Sequence, residues 1–334
     1  MSEMKKLIAL LLAAALVLPC ALTAFAADDS GSFGAYAHVF IIGVDGAGRF
    51  IKDADTPNFD RIFADGAVDY AVRAEVKTDS GPNWGSMLTG VSYFQHKIQN
   101  GNSGEEQRTS DTEYPSIFTC VRRAMPEAAL ASFVHWNNIN YGIIETDIGV
   151  EKVQVGSDAA LTDEICAYFD AGNAPTLFFV QLDEVDAAGH SFGSNSEEYF
   201  AALHTADGYV GQIYDALERN GLLEDSLFIV TADHGHRATG GHGGITMRES
   251  LTTIAAAGRT VEKGGALDKI TRDRDIAAIA LYALGIERPA AMTARLPAHL
   301  FAGVGGESRP FFKDIVDGIL SPVVWVFTLM TAIF

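Results

Sequence analysis

Carboxylates and imidazoles are concentrated in one glycine-rich segment, TADHGHRATGGHGG, at residues 231–244. Asp233 and His234 are adjacent, so at an extended strand end their side chains point to opposite sides and can serve two different ions. His242 returns after a Gly-Gly turn, and the glycines let the backbone fold closely around a buried centre. Zinc accepts both donor types in proteins. The segment therefore predicts part of a metal site, and His236 is interpreted as a bystander that supports a ligand or faces solvent.

A second pair of the same donors lies in LDEVDAAGHSFG, residues 182–193. Asp186 and His190 are four residues apart, which places both side chains on one face of a helical turn. Alone, the pair is also typical of a surface loop. Together, the two segments offer enough oxygen and nitrogen donors for two ions. Two-metal sites hold the attacking and leaving oxygens of an in-line displacement, so the sequence favours that class of centre.

A nucleophile for such a centre is available in KTDSGPNWGSMLTG, residues 77–90. Pro82 is typical of a first helical turn, which places Ser80 at the amino terminus of a helix. Backbone N–H groups and the helix dipole favour an anion or an alkoxide there. An ordinary serine N-cap is the alternative interpretation of Ser80. Thr78 and Asp79 compete for the same role within this turn.

These segments follow apolar runs typical of buried parallel strands. The predicted strands are at 38–44, 129–135, 176–182, 227–231 and 251–256. The predicted helices are at 57–65, 116–124, 161–169, 196–219 and 274–284. This alternation predicts an α/β fold with a doubly wound, mostly parallel central sheet and helices on both faces. Ligands gather beyond the carboxyl ends of such strands, so Asp45, Asp186 and Asp233 are expected to meet.

The charge of the chain limits its partners. The 334 residues carry a formal net charge of −19, and the pI is about 4.7. That balance disfavours a nucleic-acid duplex as a partner. An acidic chain that acts on a small phosphate ester needs cations to screen the phosphate.

The amino terminus predicts export. Residues 1–26 combine Lys5 and Lys6 with an apolar stretch and an Ala-Phe-Ala sequence, the order typical of a secretory signal peptide. An uncleaved membrane anchor is the alternative. Export permits a disulfide between Cys120 and Cys166, the cysteines that remain after cleavage, and two buried thiols are the other interpretation.

The carboxyl-terminal residues 303–334 are interpreted as a linker, GVGGESRP, followed by an apolar tail. Residues 319–334 carry no charge. As a helix they would span about 24 Å, less than the roughly 30 Å hydrocarbon core of a bilayer. A membrane anchor, a docked apolar helix and a truncated gene product are the three interpretations of this tail.

Taken in order, the motifs resemble the alkaline phosphatase superfamily, and most of all its type I phosphodiesterase/nucleotide pyrophosphatase branch. The resemblance covers residues 38–290 and rests on GVDGAG, TPNFDRIFADGA, SGPNWGSMLTG, DAAGH, GGHGG and IAAIALYALGIERP. It implies an alkaline phosphatase-like catalytic domain at residues 28–302.

The resemblance also implies a role for each site residue. It implies two divalent ions, most simply zinc. The matching ligands are Asp186, His190 and His242 for one ion and Asp45, Ser80, Asp233 and His234 for the other. Ser80 stands two residues before the proline, where the family has its nucleophile, and Thr78 is the runner-up.

The stretch after the nucleophile turn departs from the family pattern. Where the phosphodiesterase branch has a histidine-glycine and paired asparagines, this chain has QHKIQNGNS, in which Asn100 is expected to donate to a phosphoryl oxygen. Trp84 is interpreted either as a substrate-facing aromatic or as a residue packed under its helix. It stands where sulfatases, which share the fold, have an arginine, and this disfavours sulfate esters.

The expected activity is hydrolysis of a small phosphate ester by an exported enzyme through a phosphoseryl intermediate. A phosphomonoesterase, a phosphotransferase and a sulfatase-like hydrolase are alternatives within the superfamily. A non-catalytic metal-binding module is an alternative from another class. That module is disfavoured because every expected ligand and nucleophile position is filled.

Overall fold

The computed structural model describes residues 31–75, 77–265, 267 and 271–307. The predicted signal peptide at 1–26 and the tail at 311–334 lie outside these residues. Across the described chain, no helix combines the length and the apolarity that crossing a membrane requires. In the segment interpreted as a linker, Glu307 pairs with Arg288 and its amide donates to the carbonyl of Leu296. The start of that segment therefore contacts the domain.

Seven strands form one sheet within the described residues. They are β1 (His38–Val44), β2 (Ala67–Arg73), β3 (Leu130–Val134), β4 (Glu151–Gln154), β5 (Leu177–Leu182), β6 (Ser226–Thr231) and β7 (Leu251–Ala257). Their order across the sheet is β2-β7-β6-β1-β5-β3-β4. The pairs β6-β1, β1-β5, β5-β3 and β3-β4 are parallel, whereas β7 is antiparallel to both β6 and β2. The predicted mostly parallel α/β sheet is confirmed.

Helices cover both faces of this sheet. The α-helices are α1 (Pro57–Phe63), α2 (Ser80–Thr89), α3 (Tyr93–His96), α4 (Asn100–Ser103), α5 (Ile117–Ala124), α6 (Asp158–Asp170), α7 (Glu184–Phe192), α8 (Glu197–Arg219), α9 (Met247–Ser250) and α10 (Asp275–Ala283). Side chains alternate along β1, so Ile41 lies in the core that includes residues of α2, α5 and α10, whereas Ile42 lies in the core that includes residues of α1, α6 and α8. The two resulting cores explain why the central strands are apolar on both faces.

The predicted elements are found close to their expected positions. All five predicted strands and all five predicted helices are present, with ends that differ by at most three residues. One prediction is wrong: the run at 251–256 was expected to be a parallel strand, but β7 is antiparallel. Its burial on both faces gives it the composition of a parallel strand, so composition does not reveal its direction. The strands β2 and β4 were missed because they lie at the sheet edges and are partly exposed.

The sheet order brings the predicted site segments together. The strands β6, β1 and β5 are neighbours, and they run parallel. Their carboxyl ends therefore open onto the same edge of the sheet. Asp45 follows β1, Asp183 follows β5, and Asp233 comes two residues after β6. This is the arrangement in which open α/β sheets bind ligands.

The two cysteines are not joined. Cys120 is buried in α5 and Cys166 is half-buried in α6, and both thiols are free. Burial raises the pKa of the Cys120 thiol to about 12, so this thiol stays protonated and unreactive. The structure therefore agrees with two free thiols and not with a disulfide.

Candidate metal centre

One group of predicted ligands surrounds the His234 ring. His234 Nε2 lies 3.3 Å from Asp233 Oδ2 and 3.5 Å from Asp45 Oδ1. The Ser80 hydroxyl, on the first residue of α2, is 3.2 Å from the same nitrogen. All four side chains are buried, and Ser80 is the most exposed of them at 7%. The structure therefore brings together the four residues expected at one ion.

The other group joins α7 to the loop after β6. His242 Nε2 is 3.0 Å from His190 Nε2 and 3.5 Å from Asp186 Oδ1. His190 Nε2 is also 3.4 Å from Asp186 Oδ2. His242 Nδ1 lies 2.7 Å from the carbonyl oxygen of Thr78, which can only accept a hydrogen bond. That bond places the proton on Nδ1 and leaves the Nε2 lone pair for a metal ion.

The two groups form one continuous centre. The rings of His234 and His242 stack with their centroids 3.9 Å apart. One potential ligand atom from each of Asp186, His234, His236 and His242 lies within 4.8 Å of the others. Ions held by the two groups would therefore be neighbours.

The buried carboxylates have one oxygen occupied and one oxygen unused. Asp233 Oδ1 accepts the backbone N–H groups of Gly46 and His234, at 3.1 and 2.9 Å. Asp233 Oδ2 and Asp45 Oδ1 are buried without a hydrogen-bond partner among the described residues. Buried polar atoms are rarely left unpaired, because the desolvation cost is not recovered. Two unpaired oxygens that face His234 fit a bound cation.

The pKa shifts of the buried carboxylates and of His234 also fit a bound cation. Burial, together with the charges of Asp233 and Asp186, raises the pKa of Asp45 well above its usual range. Burial also raises the pKa of Asp233 to about 8. Burial lowers the pKa of His234, so this imidazole is neutral and can donate its lone pair. A cation would allow the crowded carboxylates to ionise together.

Ser80 lies beside His234 and is not the N-cap of its helix. The residue before α2 with extended backbone is Asp79, so the N-cap interpretation of Ser80 is wrong. The hydroxyl of Thr78 accepts from the Gly243 amide and donates to the Gly244 carbonyl, both at 3.0 Å. Those bonds hold Thr78 against the loop, whereas Ser80 faces His234.

Asn100 lies beside this turn. Its amide oxygen accepts the backbone N–H of Gly81 at 2.7 Å. A Cβ at Gly81 would lie 2.6 Å from the Asn100 backbone nitrogen, so the two segments approach closely because residue 81 is glycine. Since the Asn100 oxygen is occupied by Gly81, the amide nitrogen is the group that can donate to a ligand next to Ser80.

Trp84 does not face the substrate side. Its side chain is fully buried, and its indole N–H donates to Asp45 Oδ2 at 2.8 Å. The ring packs edge-on against Phe179 of β5. The substrate-facing interpretation is therefore wrong, and the packing interpretation is incomplete, because Trp84 also contacts a metal-ligand candidate.

His236 is not solvated. It is fully buried, and its Nε2 lies 2.9 Å from Asp186 Oδ1. Cβ atoms added at Gly46 and Gly189 would lie 2.7 and 2.3 Å from atoms of its ring, so both positions leave space for the imidazole. Burial would raise the pKa of Asp186, but the His236 bond and the nearby imidazoles lower it to about 2. Of the two sequence interpretations, the supporting role is the one that the geometry fits.

Sequence reasoning missed Gln181. Its Nε2 donates to Asp45 Oδ2 at 3.0 Å and to Asp183 Oδ1 at 2.6 Å. The signal was a glutamine inside the otherwise apolar strand LFFVQL, where a buried amide requires partners.

A third group of acids and an imidazole has a structural explanation. The Asp158 carboxylate accepts the backbone N–H groups of Asp183 and Glu184 at the start of α7. Glu184 in turn accepts the Asp158 amide at the start of α6, at 3.1 Å, and His135 Nδ1 is 2.8 Å from Asp158. The two helix amino termini therefore cap each other.

Comparison with curated proteins finds partial relatives. Over 167 residues the chain is 29% identical to GPI ethanolamine phosphate transferase 1 of Candida glabrata, covering 45% of this chain and 18% of the transferase. It thus spans less than a fifth of that relative. Over 258 residues it is 23% identical to human bis(5'-adenosyl)-triphosphatase ENPP4, covering 69% of this chain and 52% of that protein.

Comparison with solved structures shows the fold. Murine ectonucleotide pyrophosphatase/phosphodiesterase 5 matches with a TM-score of 0.64 at 15% identity, covering 77% of this chain and 97% of that one. A 2-O GAG sulfatase matches with a TM-score of 0.61 at 15% identity, covering 78% and 73%. The fold is that of the alkaline phosphatase superfamily.

The family assignment rests on most of the chain. The family model for type I phosphodiesterase/nucleotide pyrophosphatase matches residues 39–300, which include both ligand groups and Ser80. The fold shared with ectonucleotide pyrophosphatase/phosphodiesterase 5 agrees with that match. The chain therefore belongs to the type I phosphodiesterase/nucleotide pyrophosphatase family of the alkaline phosphatase superfamily.

Proposed function

We propose that this chain is a metal-dependent phosphoric-ester hydrolase that uses Ser80 as its nucleophile. The observation that carries the proposal is the position of the Ser80 hydroxyl, which is buried at the start of α2 and 3.2 Å from His234 Nε2. The same His234 nitrogen lies within 3.5 Å of Asp45 and Asp233, each of which has a carboxylate oxygen without a hydrogen-bond partner among the described residues. The Ser80 hydroxyl is therefore grouped with three potential metal ligands.

The donor set supports zinc as the metal. One ion would be held by Asp45, Ser80, Asp233 and His234 and the other by Asp186, His190 and His242. Imidazole suits zinc, whereas calcium and magnesium prefer oxygen donors. When bound, such ions lower the pKa of an attached hydroxyl and stabilise charge on phosphoryl and leaving oxygens.

The reaction then divides into two displacements. Ser80 Oγ attacks phosphorus and gives up its proton, the leaving oxygen departs with the electron pair of the broken P–O bond and takes up a proton from solvent, and a phosphoseryl group forms. Water then attacks the phosphoserine, which releases phosphate or a monoester and restores Ser80. The amino terminus of α2 favours negative charge at Oγ. The Asn100 amide nitrogen donates to a phosphoryl oxygen, because its amide oxygen is held by Gly81.

Activity on two simple esters tests this proposal. The purified chain should hydrolyse nitrophenyl phosphate or bis-nitrophenyl phosphate, contain two zinc ions, and lose activity after chelation. Ser80→Ala should lower turnover ~10³-fold or more. Ser86→Ala is the matched control, because Ser86 lies on the same helix and its hydroxyl contacts His96. A chain without zinc and without activity on either ester would contradict the proposal.

A phosphotransferase is the second candidate. The observation that favours it is the sequence similarity to GPI ethanolamine phosphate transferases. Both reactions share the phosphoseryl step and differ in the acceptor, which is water in one and an alcohol in the other. Product analysis in the presence of ethanolamine or glycerol distinguishes them: a hydrolase releases mainly phosphate or the monoester of the substrate, whereas a transferase forms mainly a new ester with the added alcohol.

The predicted signal peptide and the charge of the chain motivate a proposal for location. The enzyme would act outside the cytoplasm on a small phosphate ester, with cleavage near residue 26. Amino-terminal sequencing of the exported protein checks the cleavage. Membrane fractionation with and without residues 311–334 checks whether the tail attaches the enzyme to a membrane.

A further inference from the structure

Asp45 is held from one side only. Its Oδ2 accepts two hydrogen bonds, from Trp84 Nε1 at 2.8 Å and from Gln181 Nε2 at 3.0 Å. Its Oδ1 has no hydrogen-bond partner among the described residues and lies 3.5 Å from His234 Nε2. Two donors on one oxygen fix the plane of the carboxylate and turn the other oxygen toward the site.

Both donors are themselves fixed. Gln181 is fully buried, and its Oε1 accepts the Trp136 backbone N–H at 2.8 Å. The Trp84 ring packs edge-on against Phe179, with centroids 5.5 Å apart. A Cβ at Gly43 of β1 would lie 2.3 Å from the indole carbon Cη2. The ring therefore occupies a space that exists because residue 43 is glycine.

The donors are also uncharged. An arginine or lysine in their place would form an ion pair with Asp45 and offset its negative charge. An indole and an amide orient the carboxylate while its charge stays available to a cation. Hydrogen bonds to the carboxylate oxygen that does not bind the metal orient the ligand and affect the affinity for the metal.

We propose that Trp84 and Gln181 are positioning residues that hold Asp45 with Oδ1 directed at the ion shared with Ser80, Asp233 and His234. The inference rests on the proposed metal centre. In this proposal α2 has two roles, because it carries both Ser80 and Trp84, the residue that orients Asp45.

Zinc titration of the full chain tests the inference. Trp84→Phe keeps a buried ring and removes the N–H donor, so it should weaken one of the two zinc ions about 10–100-fold and leave the other unchanged. Gln181→Met, which keeps the length of the side chain, should weaken the same ion. Affinities are measured by competition with a chromophoric chelator, which does not depend on activity.

Two further variants separate positioning from packing. Phe179→Leu loosens the packing around the same ring and keeps both donors, so it should lower the melting temperature without selective loss of zinc. Gly43→Ala leaves the indole intact but displaces it, so it should weaken the same ion as Trp84→Phe. Thermal unfolding of the chelated proteins confirms that each variant is folded.

The outcomes distinguish this inference from the proposed function. A wild-type chain that binds two zinc ions, with the same two affinities in Trp84→Phe and Gln181→Met, overturns the inference alone. If Phe179→Leu selectively weakens the Asp45 ion as much as Trp84→Phe does, the inference is also overturned, because packing then explains the effect. A wild-type chain that binds no zinc overturns the proposed function together with this inference.

Discussion

Ser80 Oγ and His234 Nε2 lie 3.2 Å apart although 154 residues separate them in the chain. The contact joins the first residue of α2 to the loop that follows β6, on the edge where β6, β1 and β5 end side by side. Both side chains are buried. The contact places the Ser80 hydroxyl beside the candidate metal ligands.

Acid should release zinc from the Asp45–Asp233 side of the centre. Burial and neighbouring carboxylates raise the pKa of Asp45, and burial raises the pKa of Asp233 to about 8. Protons therefore compete with the ion, and zinc affinity should fall steadily as the pH decreases below about 8. Competition titrations at a series of pH values measure this. A pH-independent affinity would contradict it.

The metal-free chain should lose stability as the pH rises. The folded-state pKa of Asp233, about 8, is above its ordinary value of 3.8. The contribution of this group to stability is therefore complete below 3.8 and is lost as the pH rises through about 8. Asp233→Asn should flatten the dependence of the chelated protein's melting temperature on pH. The exposed Asp65→Asn is the control and should leave the slope intact.

Removal of His236 should weaken the ion at Asp186, His190 and His242. His236 Nε2 holds Asp186 Oδ1, so His236→Ala frees the carboxylate and leaves it less well oriented. A loss of about 10–100-fold in the affinity of this ion is expected. His236→Gln, which can still donate, should restore part of it. Unchanged affinities for both ions in the alanine variant would show that the hydrogen bond does not support the site.

Asn100→Ala should slow catalysis without removing zinc. The Asn100 side chain is held beside Ser80 through the Gly81 amide, and its amide nitrogen is the proposed donor to the phosphoryl oxygen. Loss of one such donor lowers kcat about 10²-fold. Asn102→Ala is the matched control, because Asn102 bonds to the backbone of Gln99 and Lys97. Equal rates for the two variants would remove Asn100 from the mechanism.

The sheet was largely predictable because its central strands are long apolar runs. The direction of β7 was not, since Leu251–Ala257 is buried on both faces like its parallel neighbours. The edge strand Glu151–Gln154 has no apolar run, so only its pairing with β3 reveals it. The composition of a strand indicates how buried it is. The direction of a strand and the pairing of an edge strand depend instead on the path of the chain.

The candidate ligands could be selected from the sequence for a related reason. Aspartate and histidine at the ends of neighbouring strands are recognisable by type and position. The residues behind them are not, because Trp84 and Gln181 reach Asp45 from 39 and 136 residues away. Such contacts depend on how the strands and α2 pack, which no local pattern encodes. For the same reason, the sequence alone could not decide whether His236 supports a ligand or faces solvent.

The covalent step is the central claim, and trapping it is the most direct test. The zinc-loaded enzyme is mixed with bis-nitrophenyl phosphate or nitrophenyl phosphate, quenched in acid during the first turnover, digested and mapped by mass spectrometry. A phosphoryl group on Ser80, absent from Ser80→Ala and from the chelated enzyme, is the predicted result. Full turnover by Ser80→Ala with both zinc ions still bound would contradict the account.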